Sequence, residues 1–90
     1  MKPIRWSRHA LKNLADREID RADADRTLAE PELILPGQPP RQILMCRYFD
    51  KLLQREMLLR IVVEETLSER IVVTLYKTAQ VSKYLKGGTL

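Results

Sequence analysis

Met57-Leu58-Leu59-Arg60-Ile61-Val62-Val63 and Ile71-Val72-Val73-Thr74-Leu75-Tyr76 decide the fold, with Glu65-Thr66-Leu67-Ser68-Glu69 between them. Both stretches are rich in β-branched residues and read with a two-residue period, which marks half-buried strands rather than a helix. The spacing predicts strands over Glu56–Glu64 and Arg70–Lys77 joined as a hairpin. Centring the connection on Leu67 opposes Val63 to Ile71, Ile61 to Val73, Leu59 to Leu75, Arg60 to Thr74 and Leu58 to Tyr76. The odd-numbered residues then make one apolar face that needs a cover. A slip of one residue would turn that whole set to water, so the pattern itself fixes the register. Arg60, Val62, Val72, Thr74 and Tyr76 are expected on the opposite face.

Working outward, Arg41–Phe49 reads as a third strand and Leu33-Ile34-Leu35 as a short fourth. Pro36-Gly37-Gln38-Pro39-Pro40 is the turn between them. Upstream the period lengthens to that of a helix. Ser7 is placed to cap a helix over Arg8–Arg17 with Leu11, Leu14 and Ala15 as its apolar stripe. Asp20 caps a second helix in which Ala24, Thr27 and Leu28 share a face, and Pro31 ends it. The cover for the apolar face is therefore N-terminal. The fold class is α+β: two short N-terminal helices packed on a three- to four-stranded, mostly antiparallel sheet. Residues 1–90 form a single domain, in which 79–90 is expected as a flexible tail with about a turn of helix before Gly87-Gly88.

The chain has 90 residues, 44% of them apolar, and a formal charge of +4. This is ordinary globular composition for one small domain, with no apolar run near the roughly 20 residues a membrane span needs. Basic residues interrupt the N-terminal stretch too often for a secretory leader, and a cytoplasmic location is expected. A single cysteine, Cys46, rules out an internal disulfide, and a single histidine, His9, rules out the usual zinc spacings. The glycines, Gly37, Gly87 and Gly88, form no phosphate-binding loop. No cofactor or metal is expected. Charge is uneven along the chain: residues 1–15 and 70–90 each hold four cations and no acid, and the middle holds all twelve acids. If the ends meet, they make a basic face suited to RNA or to an acidic protein.

Three short motifs add a resemblance. Ser7-Arg8-His9-Ala10 opens the first helix, Arg17-Glu18-Ile19-Asp20 joins the helices, and Val72-Val73-Thr74-Leu75-Tyr76 closes the chain's last strand. Their order resembles the small bacterial proteins grouped as domain-of-unknown-function family 4258, over about residues 5–78. That family looks like a relative of the RelE/ParE/BrnT toxin folds. The resemblance implies two helices on a twisted antiparallel sheet and, for some such proteins, ribonuclease activity restrained by a cognate antitoxin.

Metal-free RNA cleavage needs a base for the 2′-hydroxyl, a cation for the phosphate and an acid for the leaving oxygen. Arg60, mid-strand among apolar residues, is the foremost candidate to hold phosphate, because its fork matches phosphate oxygens. Tyr76 shares its face and is placed to stack a base or donate a proton. His9 is the only side chain with an ordinary pKa near neutrality. Arg47, Thr74, Lys77 and Lys83 are candidates to extend an RNA track, although strand parity points Lys77 away from Arg60. Cys46 reads as a buried small side chain and Trp6 as a core anchor. Asp16, Asp20, Asp23 and Asp25 read as helix caps and partners for Arg17, Arg21 and Arg26. The competing expectation is a non-catalytic module that binds a protein partner at the Arg41–Phe49 edge or the C-terminal tail.

Overall fold

A computed structural model describes residues 2–88, with side chains through Leu85. Met1, Thr89 and Leu90 lie outside the described residues, as do the side chains of Lys86 and the tail's two glycines. The elements are β1 (Ile4–Trp6), α1 (Arg8–Asp16), α2 (Arg21–Ala29), β2 (Leu33–Pro36), β3 (Arg41–Asp50), β4 (Arg55–Glu65), β5 (Arg70–Thr78) and α3 (Val81–Gly88). The fold is α+β. Its sheet has five strands in the order β1-β5-β4-β3-β2, antiparallel except that β1 runs parallel to β5. The expected three or four strands are thus extended by Ile4-Arg5-Trp6. Three residues carry no readable period, and their strand exists only because β5 offers an edge.

The β4–β5 pairing departs from even alternation. Val63 faces Val72 and Val62 faces Thr74, so Val73 is an extra residue in β5. This bulge shifts every pair beyond it. Arg60 lies directly opposite Tyr76 rather than Thr74 and Leu58 opposite Thr78; on the turn side, where the connection is centred between Leu67 and Ser68 rather than on Leu67, Glu64 already takes Ile71. The turn centring brings Val72 into the core in place of Ile71 and Val73, and the bulge returns Leu75 to it. Even alternation centred on Leu67 misses both one-residue steps, and their sum restores the expected parity beyond Val73.

Both N-terminal helices cap as their sequence dictates. Ser7 Oγ accepts from the Ala10 amide at 3.0 Å and Asp20 Oδ1 from the Ala22 amide at 3.0 Å. Their junction is a Schellman turn: Ile19 N–H donates to Leu14 O and Glu18 N–H to Ala15 O. Glu18 takes the left-handed conformation, φ 52°, at the position where glycine is usual. The α2 stripe is as expected, with Ala24, Thr27 and Leu28 all buried. In α1, however, Ala10 and Asn13 are buried while Leu11 and Ala15 are exposed. The reason is that α1 runs along the edge of β5 beyond the reach of β1. Ser7 Oγ donates to Val73 O at 3.1 Å, Asn13 Nδ2 to Thr74 Oγ1 at 2.6 Å and Arg17 Nη1 to Leu75 O at 2.7 Å. Polar groups that satisfy a strand edge outrank an apolar stripe here, and the edge is closed to further pairing.

The core between these helices and the sheet contains Leu44, Tyr48, Met57, Leu59, Ile61, Val63, Val72 and Leu75, with Trp6 and Leu14 packed against it. At one end it closes on a polar knot. Lys77 Nζ donates to Asp50 Oδ2 at 2.7 Å and to Glu18 O at 3.1 Å; Tyr48 Oη donates to the same carboxylate, and the Leu52 and Leu53 amides donate to Asp50 Oδ1. Asp50 is 4% exposed. The hydrogen bond from Lys77 holds its carboxyl below the ordinary aspartate range, against the effect of burial. Burial, and the carboxylate beside it, push the Tyr48 phenol up. The other face of the sheet is not open either: α3 contacts β2 and β4 there.

Two outcomes test this account by thermal unfolding. Glu18→Gly relieves the left-handed strain but loosens the unfolded chain, for a net gain of about 0.5–1 kcal/mol and a few degrees in Tm. A lower Tm would contradict the turn. Asp50→Asn strands the Lys77 ammonium and should cost about 3 kcal/mol. Lys77→Met should cost less, because the carboxylate keeps three donors. Since the Asp50 carboxyl is held low in the folded protein, its contribution is complete above the unfolded aspartate pKa of about 3.9 and is lost as pH falls through the folded value. The gap between wild type and Asp50→Asn should therefore be constant near neutrality and close below about pH 4. A gap unchanged down to pH 2 would exclude the linkage.

Candidate functional site

Arg60 and Tyr76 are the candidate residues that the structure brings together. They form a cross-strand pair on the sheet face away from α1 and α2, and Arg60 Nη1 donates to the Tyr76 hydroxyl. Arg60 Nε donates to Met45 Sδ at 3.3 Å from the neighbouring strand. Two phenol rings face the guanidinium, with centroids 5.1 Å away for Tyr76 and 4.1 Å for Tyr84 of α3. Arg60 is only 9% exposed. Among the described residues no carboxylate lies within ion-pair distance of it; neither Glu56 nor Glu69 serves, and Glu69 is taken by Arg5. Ring quadrupoles and a thioether stabilise the cation more weakly than a carboxylate would. No described group accepts from Nη2.

The other candidates go elsewhere. His9 is exposed in the first turn of α1, across the core from Arg60. The Thr74 hydroxyl oxygen accepts from Asn13 Nδ2. Lys77 is fixed in the Asp50 knot on the helix side. Arg47 shares the Arg60 face but is held by Glu32, with Nη2 to Oε2 at 2.7 Å and the Arg47 amide to Oε1 at 2.8 Å. Those bonds draw the Glu32 carboxyl down to about 2. Lys83 is exposed on α3, its Nζ 5.6 Å from the Tyr84 ring. The residues sequence reasoning missed are Met45 and Tyr84. Tyr84 carries a signal only in hindsight, as an aromatic one residue from Lys83 in the expected tail.

The two basic ends of the chain do meet, because β1 lies beside β5, and most of their described cations are paired with acids. Lys2 and Arg70 both bind Glu65, Arg5 binds Glu69, Lys12 binds Asp16 and Lys77 binds Asp50. The Lys2 and Arg70 contacts hold the Glu65 carboxyl below its usual range. Segment counts miss this because acids from the middle of the chain fold back onto both ends. Cys46 is buried and its thiol is raised by burial. Among the described residues no group of three His, Cys, Asp or Glu could hold a metal ion, and no described helix is long and apolar enough to cross a membrane.

No curated protein and no solved structure matches the chain. The sequence profile of the family described as Domain of unknown function (DUF4258) matches residues 6–77, a span from Trp6 of β1 to Lys77 of β5 that holds the bulge, the edge-capping helix and the Arg60–Tyr76 pair. The chain belongs to the DUF4258 family.

Proposed function

We propose that the chain is a toxin-like RNA-binding protein that holds a phosphodiester on Arg60. The observation that carries the reading is a buried guanidinium with no described carboxylate partner and one nitrogen, Nη2, from which no described group accepts. An incoming phosphate supplies the counter-charge the site lacks, and in a partly desolvated setting that charge-assisted bond is strong. Tyr76, bonded to Nη1, holds the fork in place. Lys83 adds a second cation on the same side, and the phenols give bases a stacking surface. Two helices on a largely antiparallel sheet also support a toxin-like shape, with an antitoxin as the corresponding partner.

The reading is one of binding rather than cleavage. Cleavage needs a base at the 2′-hydroxyl, and His9 is on the wrong side of the core. No described acid stands beside Arg60, and the Thr74, Lys77 and Arg47 groups are already engaged.

Fluorescence anisotropy with a labelled, unstructured 20-nucleotide RNA tests this. Arg60→Lys keeps the charge and loses the fork, and it should weaken binding roughly 10- to 100-fold, the size of a charged hydrogen bond of about 1.5–3 kcal/mol. Tyr76→Phe, which preserves the ring, should weaken it several-fold. Affinity should fall between 50 and 200 mM salt as phosphate contacts require. The RNA should stay full length on a gel. Unchanged affinity for a folded Arg60→Lys protein would sink the phosphate site, and RNA shortened by wild type but not by Arg60→Lys would replace binding with cleavage.

A further inference from the structure

The β3–β4 turn carries a surface that the RNA reading does not use. Phe49 is 58% exposed, Leu52 68% and Leu53 51%, three large apolar side chains within five residues. Beside them lies a cleft of about 420 Å³ between the α1–α2 junction and the end of β3. Its apolar lining includes Ile19, Phe49 and Leu52, and its rim carries Glu18, Asp20 and Asp23 against the single cation Lys51. In a protein of charge +4 this corner is acidic. Asp23 is partly buried, and that burial raises its carboxyl above the ordinary range even with Arg26 3.4 Å away.

The strand edge at this corner is also unfinished. β2 pairs with β3 only from Gln42 to Met45, and Glu32 N–H extends the contact to Met45 O. Arg47 is closed off by side chains: Glu32 accepts from its amide, and Arg26 donates to its carbonyl at 3.4 Å. Odd-numbered residues of β3 thus direct their backbone outward. Phe49 is next in that alternation, and no described group pairs with its amide or carbonyl. A clustered apolar patch, an open pair of backbone groups and an acidic rim coincide within one corner.

We propose that this corner docks an extended segment of a protein partner in which large apolar side chains alternate with lysine or arginine. Its backbone pairs with Phe49 as a short added strand, its apolar side chains cover Phe49 and Leu52 and enter the cleft, and its cations meet Glu18, Asp20 and Asp23. The carboxylates choose this occupant: they repel RNA and acidic segments, and a second copy of the corner would bring like charges together. The inference is independent of Arg60.

The probe is a labelled seven-residue peptide of alternating leucine and lysine, titrated by anisotropy. Leucine–glutamate and serine–lysine peptides are the controls. Wild type should bind the leucine–lysine peptide at least tenfold tighter than either control. Phe49→Ser with Leu52→Ser, both exposed and neutral to folding, should remove that preference. Glu18→Gln with Asp23→Asn should weaken it several-fold and flatten its salt dependence, and Arg60→Lys should leave it intact. The Phe49 amide should become protected from hydrogen exchange in the complex. Equal binding of the leucine–glutamate peptide, or a preference that survives the double serine variant, would overturn the proposal. A dimer in sedimentation that the serine variant dissolves would also overturn it, by making the occupant a second copy.

Discussion

The unpaired residue at Val73 is the constraint on which the rest of the sheet depends. Without it, the register set at the turn would continue, placing Leu75 opposite Arg60 and turning Thr74 and Tyr76 inward with Val72. With it, Val72 and Leu75 both reach the core, Lys77 reaches Asp50, and Tyr76 stands opposite Arg60. The same irregularity frees the Val73 and Leu75 carbonyls and turns the Thr74 hydroxyl toward α1, where Ser7, Asn13 and Arg17 engage them. A bulge costs one ladder position. Here that position is recovered through side-chain donors from a helix, which also shields the edge from intermolecular pairing.

Electrostatics follow from this geometry rather than from composition. Parallel pairing of β1 with β5 puts two basic segments side by side, a repulsive arrangement that Glu65 and Glu69 at the hairpin turn relieve. Surface pairs of this kind contribute little stability individually, but each sets an acid beside one of the clustered cations. Lys77 and Arg60 show the two ways a cation can be buried in this sheet. Lys77 is fully compensated by a carboxylate and a carbonyl, and it is structural. Arg60 is compensated by two phenols and a sulfur, and its charge is left unneutralised by any described acid.

Much of the fold was legible in the sequence because it was written in periodicity and caps. Ser7 and Asp20 start the helices they were expected to start, and the α2 stripe and the four longer strands stand where alternation put them. What alternation could not carry was local deviation. A three-residue strand is too short to show a period, Leu11 loses its place to Asn13 because an edge needed donors, and the bulge is an insertion against which a regular pattern has no reference. The candidate site was legible in half. Arg60 and Tyr76 share a face by parity whether or not the bulge is known. The fates of Thr74, Lys77 and Arg47 depend on residues 15–61 positions away in sequence, and no local rule reaches that far. Tyr84 was hidden for the same reason, since the packing of α3 on the sheet is a tertiary fact.

The asymmetry between the two surfaces has a physical basis in what each presents. On the proposed reading, a guanidinium held between rings with no described acid beside it suits a compact anion that brings its own charge. The β3–β4 corner presents apolar area, a strand edge and carboxylates, the features on which the proposed peptide docking rests. Because β3 and β4 link the two, Met45 touching Arg60 and Phe49 standing four residues along the same strand, a rigid ladder rather than a flexible loop joins them. Occupying one surface therefore need not disturb the other.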